Sequence, residues 1–506
     1  MKSFRFIDSY KDPRFILAII LLVFFFKGVF LAAIQPIFGG QDEARHYDTV
    51  QYMAEPEGAV KKEEKIIKKN IDVLRDKDNF DTYNFSEEIQ KTAEATDTDI
   101  LRSELYNTIR FSSSSEGMNE SEINAKTWRP YNYYTEPDIA GTTSLYHKAS
   151  SQIEKLFSGQ DILVRFYLVR IFSVLLATIA IYFFYLTART IGFSAKASLI
   201  LTAIISFQPK FSLYSTNINY DALLIPSFFL FTYAGALALK DGLNWKSVSL
   251  LLVSILIATQ TKGTGYLLAA MFAVLISYFL YEKVQSRSKK FRYGIYGASF
   301  LALLFIGIFL LTHFFGASQP IGKIIGSIGE YIRKTITWNR FVLPSPTYWG
   351  TLSWIKSSVL ENVTNIIFLI ETIAIVGLGL LLFARKFKAS YPLFLPARKY
   401  IVFLIGMVVA LQLGVRTADW DVFNRIGSMK MSLGTPGRYF LPNLASHILL
   451  VGAGLGAIIN WISSAQGGLA KSRERYFETV LIAILIGMFS LMMYLIFNVI
   501  ILRFYF

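Results

Sequence analysis

The sequence predicts an all-α polytopic membrane protein with about eleven transmembrane helices. Of its 506 residues, 53% are hydrophobic and only 17% are charged, a more apolar composition than soluble domains have. The apolar residues also form long runs, and roughly 20 of them in a row suffice to cross the hydrocarbon core. Because backbone polar groups must be satisfied inside lipid, each run is predicted to be a helix.

The individual spans follow from these runs. The first run is too long, and too soon followed by acidic residues, for a cleaved signal peptide, so it is predicted to remain as a span. Lys27 interrupts it, and this lysine either faces the bundle interior or marks a functional contact. The shortest run is Val248–Gln260. In chain order the runs are Phe15–Ile34, Leu163–Ala188, Ala195–Phe211, Ala222–Leu239, Val248–Gln260, Tyr266–Tyr281, Tyr293–Phe315, Val363–Ala384, Tyr400–Val415, Tyr439–Ile462 and Val480–Ile501.

The distribution of basic residues predicts a cytoplasmic N-terminus. With that orientation, 21 of the 51 Lys and Arg fall in cytoplasmic segments, whereas the short loops on the other side hold five. This asymmetry fits the positive-inside rule. The net charge of +15 therefore indicates membrane orientation and anionic lipid, and no nucleic-acid partner is predicted. The absence of cysteine excludes disulfides and thiolate metal sites.

This topology divides the chain into three parts. Residues 1–34 form the cytoplasmic N-terminus and first transmembrane helix, 35–161 form a large outer loop with an acidic motif, and 162–506 form a multi-helix transmembrane core. A loop as long as the first is unusual without structure, so it is expected to be a small helical subdomain on the bilayer. The core carries a second outer loop at 316–361, whose aromatic residues, including Trp349, also fit an interfacial belt.

Polar residues that are unusual for a membrane protein gather at the outer ends of the predicted spans. Two adjacent carboxylates beside an apolar helix are costly there, so structure alone is a poor reason for them. Together these residues describe a site with carboxylates and cations at one membrane surface. They are Asp42, Glu43, Arg45 and His46 after the first span, Asn219 and Asp221 before the fourth, Lys262 after the fifth, and Arg438 and Tyr439 at the start of the tenth.

Each of these residues also has a structural explanation. Asp42 could cap a helix that begins at Glu43, although a cap needs neither a second carboxylate nor a histidine one turn later. His46 could be a packing or hydrogen-bonding residue. Asn219 and Asp221 could cap the fourth span.

The two cations complete a recognisable chemistry. Lys262 and Arg438 could be interfacial residues whose charged ends reach water, but on the outer side they run against the charge bias. A sugar linked through phosphate to a polyprenyl lipid presents its anomeric carbon at that surface. Its transfer to a hydroxyl needs a carboxylate base and cations that stabilise the leaving phosphate. The residue set therefore predicts transfer of a sugar from a polyprenyl-phosphate donor.

These motifs resemble those of the GT-C superfamily of integral membrane glycosyltransferases, which includes the protein O-mannosyltransferases. They are most similar to a bacterial membrane-protein family of unknown function within that superfamily. Its Pro-Asp-Glu-x-x-His pattern matches residues 41–46, with Gln41 in place of Pro, and its Asn-x-Asp pattern matches residues 219–221. Its Trp-Gly pattern matches at Trp349, and its Gly-Arg-Tyr-x-x-Pro pattern matches residues 437–442.

The resemblance implies an inverting glycosyltransferase of the bacterial cytoplasmic membrane, multi-pass, with its active site on the outer face. Asp42 is expected to be the general base, with Glu43 orienting the acceptor or assisting. Lys262 and Arg438 are expected to hold the phosphate. No metal or other cofactor is predicted, since the four histidines are scattered, although some relatives use divalent ions. The remaining residues expected to bind substrate or line its pocket are His46, Asn219, Asp221, Trp349 and Tyr439.

The resemblance also implies the partners: the lipid donor, the bilayer, and a cell-surface glycan, glycolipid or polymer as acceptor. Two other functions stay open at this point. A flippase or transporter of lipid-linked oligosaccharide would also be polytopic, but such sites tend to lie at the bilayer midplane between repeats, and no repeat is evident here. A polysaccharide polymerase or ligase typically has its large outer loop late in the chain. A non-catalytic scaffold predicts that replacing Asp42 has no biochemical effect.

Overall fold

The computed structural model describes most of the chain between residues 12 and 502. Within these parts the chain is helical and contains no strand. Most of the predicted run Tyr293–Phe315, Gln41 and most of the second predicted loop lie outside the described residues. The structure describes residues 12–40, 42–54, 86–96, 144–284, 346–349, 358–383, 395–426, 437–465 and 470–502, and the single residues 294, 297, 326 and 330.

Eight helices of the described chain are long and apolar enough to cross a membrane. They correspond to eight of the eleven predicted runs. Two more runs form the shorter apolar helices Ala195–Ser206 and Trp245–Thr259. The prediction of an all-α polytopic membrane protein is confirmed. The eight candidate spans are Pro13–Ile34, Ile162–Ile191, Asp221–Asp241, Gly263–Lys283, Asn362–Phe383, Arg398–Ala418, Gly437–Ser464 and Ser472–Ile501.

The described α-helices are numbered here in chain order. Two 3₁₀ segments, Gly263–Gly265 and Gly437–Asn443, lead into the spans that follow them, and Leu495–Ile501 continues the last helix as a π-helix. The α-helices are α1 Pro13–Ile34, α2 Glu43–Ala54, α3 Glu87–Ala95, α4 Leu145–Leu156, α5 Ile162–Ile191, α6 Ala195–Ser206, α7 Pro209–Tyr214, α8 Asp221–Asp241, α9 Trp245–Thr259, α10 Tyr266–Val284, α11 Pro346–Trp349, α12 Ser358–Phe383, α13 Arg398–Ile426, α14 Leu444–Ala465 and α15 Ala470–Tyr494.

The ends of several spans are fixed by local capping residues. The Asp12 carboxylate accepts a hydrogen bond from the Arg14 backbone N–H at 2.9 Å, and Pro13 occupies the first position of α1, where its missing N–H is not needed. Asp161 starts α5 in the same way, through the Leu163 N–H at 2.8 Å. Gly192, with a φ of +116°, ends α5 in the left-handed conformation, which glycine adopts without steric cost.

The membrane core contains a broken helix between residues 195 and 220. At 12 residues α6 is about 18 Å long, which is too short to cross the hydrocarbon core, and the following residues 208–219 are all buried. Lys27 of α1 donates hydrogen bonds to the Ser206 carbonyl and to Ser212 Oγ. This lysine therefore faces the bundle interior and satisfies the open C-terminus of α6. Such irregular backbone is tolerated at membrane depth where protein surrounds it.

Small residues allow two of the spans to approach closely. Gly377 of α12 and Gly454 of α14 face each other, and a Cβ added at Gly377 would lie 1.9 Å from the Gly454 carbonyl oxygen. Membrane helices associate through such close backbone contacts because lipid provides no hydrophobic drive between them. The α12–α14 pair therefore forms a rigid wall of the bundle, and the polar residues described below lie on both of its helices.

The described parts of the first predicted loop are helical and are joined by buried ion pairs. Arg165 of α5 pairs with Glu88 of α3 and with Glu154 of α4. Tyr47 of α2 donates its hydroxyl to the other oxygen of Glu154 at 2.9 Å. Because the guanidinium and Glu154 are buried, removing either partner would leave an unpaired charge. This network fixes α2, and with it the acidic motif, against the membrane core.

Candidate active site

Most of the predicted site residues meet at one end of the helix bundle. Asp42 lies at the start of α2, Asp221 begins α8, Lys262 lies between α9 and α10, and Arg438 lies in the 3₁₀ segment before α14. They come from elements separated by up to 396 positions in the chain. The structure thus brings together residues that the sequence could relate only through topology.

Asp42 is the accessible carboxylate of this cluster. Its φ is +58°, a left-handed conformation that Asp tolerates better than most residues but not the extended one typical of a helix N-cap. Arg438 Nη2 lies 3.1 Å from Asp42 Oδ2 and 3.2 Å from the Tyr439 hydroxyl. The Asp42 side chain is 21% exposed. A carboxylate is therefore open to the site and paired with a guanidinium.

Arg438 has hydrogen-bonding capacity that the described chain does not use. The residue is only 8% exposed, and its Nε and Nη1 atoms are buried without a partner among the described residues. Buried donors of a charged group are costly when unsatisfied. Each of these N–H groups is a charge-assisted donor that an oxyanion could accept.

Lys262 is held between a carboxylate and two aromatic rings. Its Nζ lies 3.0 Å from Asp221 Oδ1, 4.4 Å from the centre of the Tyr220 ring and 4.8 Å from that of Tyr439. Burial lowers the pKa of Lys262, but the Asp221 carboxylate outweighs this effect and the pKa is raised overall. Lys262 is therefore a permanent cation, with Asp221 as its immediate counter-ion.

Asn219 shapes the turn that presents Asp221. Its side-chain oxygen accepts the Asp221 N–H at 2.9 Å, and its amide nitrogen donates to the Tyr214 hydroxyl at 3.0 Å. The N-cap position of α8 is Tyr220, whose side chain makes no capping hydrogen bond. Asp221 lies in the first turn of α8, where the helix dipole favours a negative charge. The structural explanation of this segment therefore holds for Asn219, whose side chain satisfies the first N–H of α8.

Glu43 is buried, unlike its neighbour in the motif. Its two oxygens accept hydrogen bonds from Arg170 Nε at 2.9 Å and Nη2 at 2.6 Å. They also accept the backbone N–H groups of Gly40 at 2.9 Å and Ile218 at 3.0 Å. A Cβ at Gly40 would come within 2.7 Å of Glu43 Oε2, so the turn needs glycine there. The Glu43 carboxylate is fully engaged and fixes the turn that carries Asp42.

His46 belongs to a buried histidine pair at the edge of the cluster. Its Nδ1 lies 2.9 Å from His147 Nε2, and His147 Nδ1 lies 2.9 Å from Ser144 Oγ. The His46 ring meets the Tyr220 ring edge to face, with centroids 4.7 Å apart. Burial lowers the pKa of His46, and burial lowers the pKa of His147 to about 4. Both imidazoles are therefore neutral at physiological pH.

The histidine pair predicts a pH dependence of stability. Because the folded-state pKa of His147 is about 4 and the ordinary value is about 6.5, the unfolded chain binds more protons between these values. Stability should therefore fall as the pH drops from 6.5 towards 4, by up to about 1.4 kcal/mol per pH unit for this histidine. Denaturant unfolding of the wild type and of His147→Gln at pH 7 and pH 5 tests this. An equal pH dependence in the two proteins would contradict it.

Trp349 lies in a second polar cluster rather than with Asp42 and Lys262. Its Nε1 donates to Glu371 Oε1 at 3.2 Å, and His447 Nε2 lies 2.9 Å from the same oxygen. The Tyr348 hydroxyl lies 3.0 Å from His447 Nδ1. Trp349 is 6% exposed, so it is packed in the bundle rather than exposed at an interface. This cluster joins α11 to α12 and α14, next to the 3₁₀ segment that carries Arg438.

Several residues at or near the site were not found from the sequence. Arg170 and Glu371 are ionisable residues inside predicted spans, and such residues usually have a specific partner; this signal could have identified them. Lys210 is a further cation on the predicted outer side and is described below. Within the described part of the chain, no group of three His, Asp or Glu side chains is placed to hold a metal ion.

A comparison with known families bears on the central part of the chain. Residues 163–311 match the family model described as dolichyl-phosphate-mannose-protein mannosyltransferase. The matched segment includes Asn219, Asp221 and Lys262, but not Asp42 or Arg438. No curated protein and no solved structure was found to match the chain. The match indicates a glycosyltransferase, and the resemblance to the GT-C superfamily of integral membrane glycosyltransferases is confirmed.

Proposed function

We propose that this protein transfers a sugar from a polyprenyl-phosphate donor to a hydroxyl group of a cell-surface glycan, glycolipid or polymer. The reaction would take place on the outer face of the bacterial cytoplasmic membrane. The observation that carries the proposal is the pairing of an accessible carboxylate, Asp42, with Arg438, whose remaining N–H groups are buried and unpaired. In this proposal Asp42 is the proton acceptor and Arg438 the oxyanion-binding group, side by side at one end of the membrane helices.

Asp42 is the best base among the three carboxylates. Its side chain is 21% exposed, against 3% for Asp221 and 0% for Glu43. A general base must reach the proton that it removes, and Asp221 and Glu43 are already engaged by Lys262 and Arg170. We therefore assign the base to Asp42 and a positioning role to Glu43.

The proposed step is a single displacement at the anomeric carbon. The acceptor hydroxyl gives its proton to Asp42, and its oxygen forms a bond to the anomeric carbon. The bond between that carbon and the phosphate oxygen breaks, and the electron pair stays on the phosphate. Arg438 would stabilise the charge that develops on this leaving group. Attack from the face opposite the phosphate inverts the anomeric configuration.

The other residues would shape the pocket. Asp221 and Asn219 hold Lys262 beside the rings of Tyr220 and Tyr439, which form a cationic and aromatic wall. His46 supplies a neutral imidazole next to Tyr220. Trp349 would act from the second cluster, by supporting the segment that carries Arg438 and Tyr439. In this scheme the first outer loop, residues 35–161, contributes the base, and the core, residues 162–506, contributes the cations.

The proposal is tested with purified protein in sealed lipid vesicles. Radiolabelled polyprenyl-phosphate sugars are placed in the outer leaflet, and cell-envelope acceptor extract is added outside. We expect label to move into polymer or glycolipid, and polyprenyl phosphate to be released in equal amount.

Two results would contradict this proposal. Intact labelled lipid that crosses to the inner leaflet without transfer would instead show a flippase. Label that stays on the donor in every acceptor extract, in both leaflets, would leave neither function supported. Vesicles that contain the Asp42→Asn variant are the matched control for spontaneous transfer and for leakage.

A further inference from the structure

Lys210 is a buried lysine that neither the fold nor the proposed mechanism uses. It lies in α7, is 6% exposed, and makes no side-chain hydrogen bond or ion pair with the described chain. Lys27, a partly buried lysine near the same break in the helix, donates instead to the Ser206 carbonyl and to Ser212 Oγ. The fold therefore accounts for the Lys27 ammonium group and not for that of Lys210.

Arg438 makes the buried position of Lys210 still less favourable. The helix that carries Lys210, α7, packs against the 3₁₀ segment Gly437–Asn443, which carries Arg438. The guanidinium itself has two buried N–H groups without a partner among the described residues. Buried charges are normally paired, since an unpaired one loses its hydration without compensation. Two neighbouring cations with unused donors indicate a bound anion.

The segment that carries Lys210 is rigidly built. Pro209 occupies the first position of α7, and the Gln208 side chain accepts the Phe211 N–H. The same Gln208 side chain donates to the Tyr348 carbonyl, and Tyr348 is fixed in turn by His447 at 3.0 Å. Lys210 is thus held beside Arg438 by the second polar cluster. That network gives the Trp349 segment a role in positioning a cation.

The charges of the described site do not balance without a ligand. Three cations, Lys210, Lys262 and Arg438, stand against two carboxylates, the partly exposed Asp42 and the buried Asp221. Because Asp221 lies 3.0 Å from Lys262 and Asp42 lies 3.1 Å from Arg438, the excess positive charge lies at Lys210. A phosphoryl group would neutralise this excess and accept hydrogen bonds from Lys210 and from an unused N–H of Arg438.

We infer that Lys210 and Arg438 form a subsite for the phosphoryl group of a lipid phosphate, while Lys262 remains with Asp221. In this inference Lys210, rather than Lys262, holds the phosphate together with Arg438. The identification of this lipid with the sugar donor rests on the proposed function. Binding of the phosphoryl group is independent of that function, because binding can be measured without sugar transfer.

The test compares melting temperatures of purified full-length protein with three probes: a polyprenyl phosphate, the corresponding polyprenol, and inorganic phosphate. The variants are Lys210→Met, Lys210→Arg and, as a control of equal charge change, Lys240→Met at the far end of α8, where the lysine is exposed. We expect only polyprenyl phosphate to stabilise the wild type. Lys210→Met should need at least about tenfold more of it for the same shift. Lys210→Arg should retain most of the affinity.

Lys210→Met also has a diagnostic effect without ligand. Because it removes a buried charge that has no partner, its melting temperature should equal or exceed that of the wild type. If Lys210 had a structural role, its replacement would lower the melting temperature. Unchanged affinity of Lys210→Met for polyprenyl phosphate would overturn the inference, and so would an equal stabilisation by inorganic phosphate or polyprenol. If binding depends on Lys210 but no sugar is transferred, the subsite stands and the proposed function fails.

Discussion

Asp42→Asn is expected to reduce sugar transfer by about 10² to 10⁴-fold, the usual contribution of a general base, without unfolding the protein. The amide has the shape of the carboxylate but cannot take the acceptor proton. Asn also tolerates the left-handed backbone conformation of this position, where φ is +58°. The initial rate of transfer from a labelled polyprenyl-phosphate sugar, at equal amounts of folded protein, measures the effect.

The matched control for this substitution is Asp221→Asn. It removes a carboxylate from the same cluster, but one whose side chain is only 3% exposed and paired with Lys262. Its effect should be smaller and should fall mainly on donor binding. A large loss of rate in Asp221→Asn together with normal rates in Asp42→Asn would move the base to Asp221. Normal rates in both variants would exclude either carboxylate as the base.

Arg170→Met is expected to lower the free energy of unfolding by about 3–5 kcal/mol, the loss seen when one partner of a buried ion pair is removed. Glu43 would remain buried with an uncompensated charge. Three backbone carbonyls at the end of α1 would also lose their donor, since Arg170 binds those of Ala32, Gln35 and Pro36 at 2.7–2.8 Å. Denaturant unfolding in detergent micelles measures the change.

Two comparisons make this prediction specific. Lys196→Met removes an exposed lysine that pairs with the mostly buried Glu478, and pairs screened by solvent on one side should contribute less, on the order of 1 kcal/mol. The double variant Arg170→Met with Glu43→Met, which leaves no unpaired charge, should recover part of the loss. A change below about 1 kcal/mol in Arg170→Met would show that the pair does not hold the Asp42 turn.

Much of the fold could be predicted because membrane-spanning helices are recognisable in a sequence as long apolar runs. Eight predicted runs became candidate spans, while the run Ala195–Phe211 proved to be α6 and part of α7, broken after Phe207. The break falls at Gln208 and Pro209, so the sequence held a local signal for it, because proline ends a helix that precedes it. The apolar run on either side concealed this signal, and Lys27 binds the end of α6 from 179 positions away. The same lysine had looked equally compatible with a functional role.

The sequence predicted which residues meet at the candidate site better than it predicted what each of them does there. Asp42, Asp221, Lys262 and Arg438 do meet, because alternate span ends share one face of a bundle. The sequence could not separate Glu43 from Asp42, since the distinction depends on Arg170, 127 positions away. Trp349 was grouped with the site by its motif, but its partner Glu371 is a single carboxylate in an apolar span. Long-range partners of buried charges leave no periodic signal.

The measurement that tests the central claim most directly is the anomeric configuration of the transferred sugar. Purified wild-type protein in lipid is given a polyprenyl-phosphate sugar of known configuration and acceptor extract, and the product is examined by NMR. A single displacement with Asp42 as base predicts an inverted anomeric centre, with one polyprenyl phosphate released per sugar transferred. A product with retained configuration would contradict the mechanism, and a lipid donor left intact after full incubation would contradict the function itself.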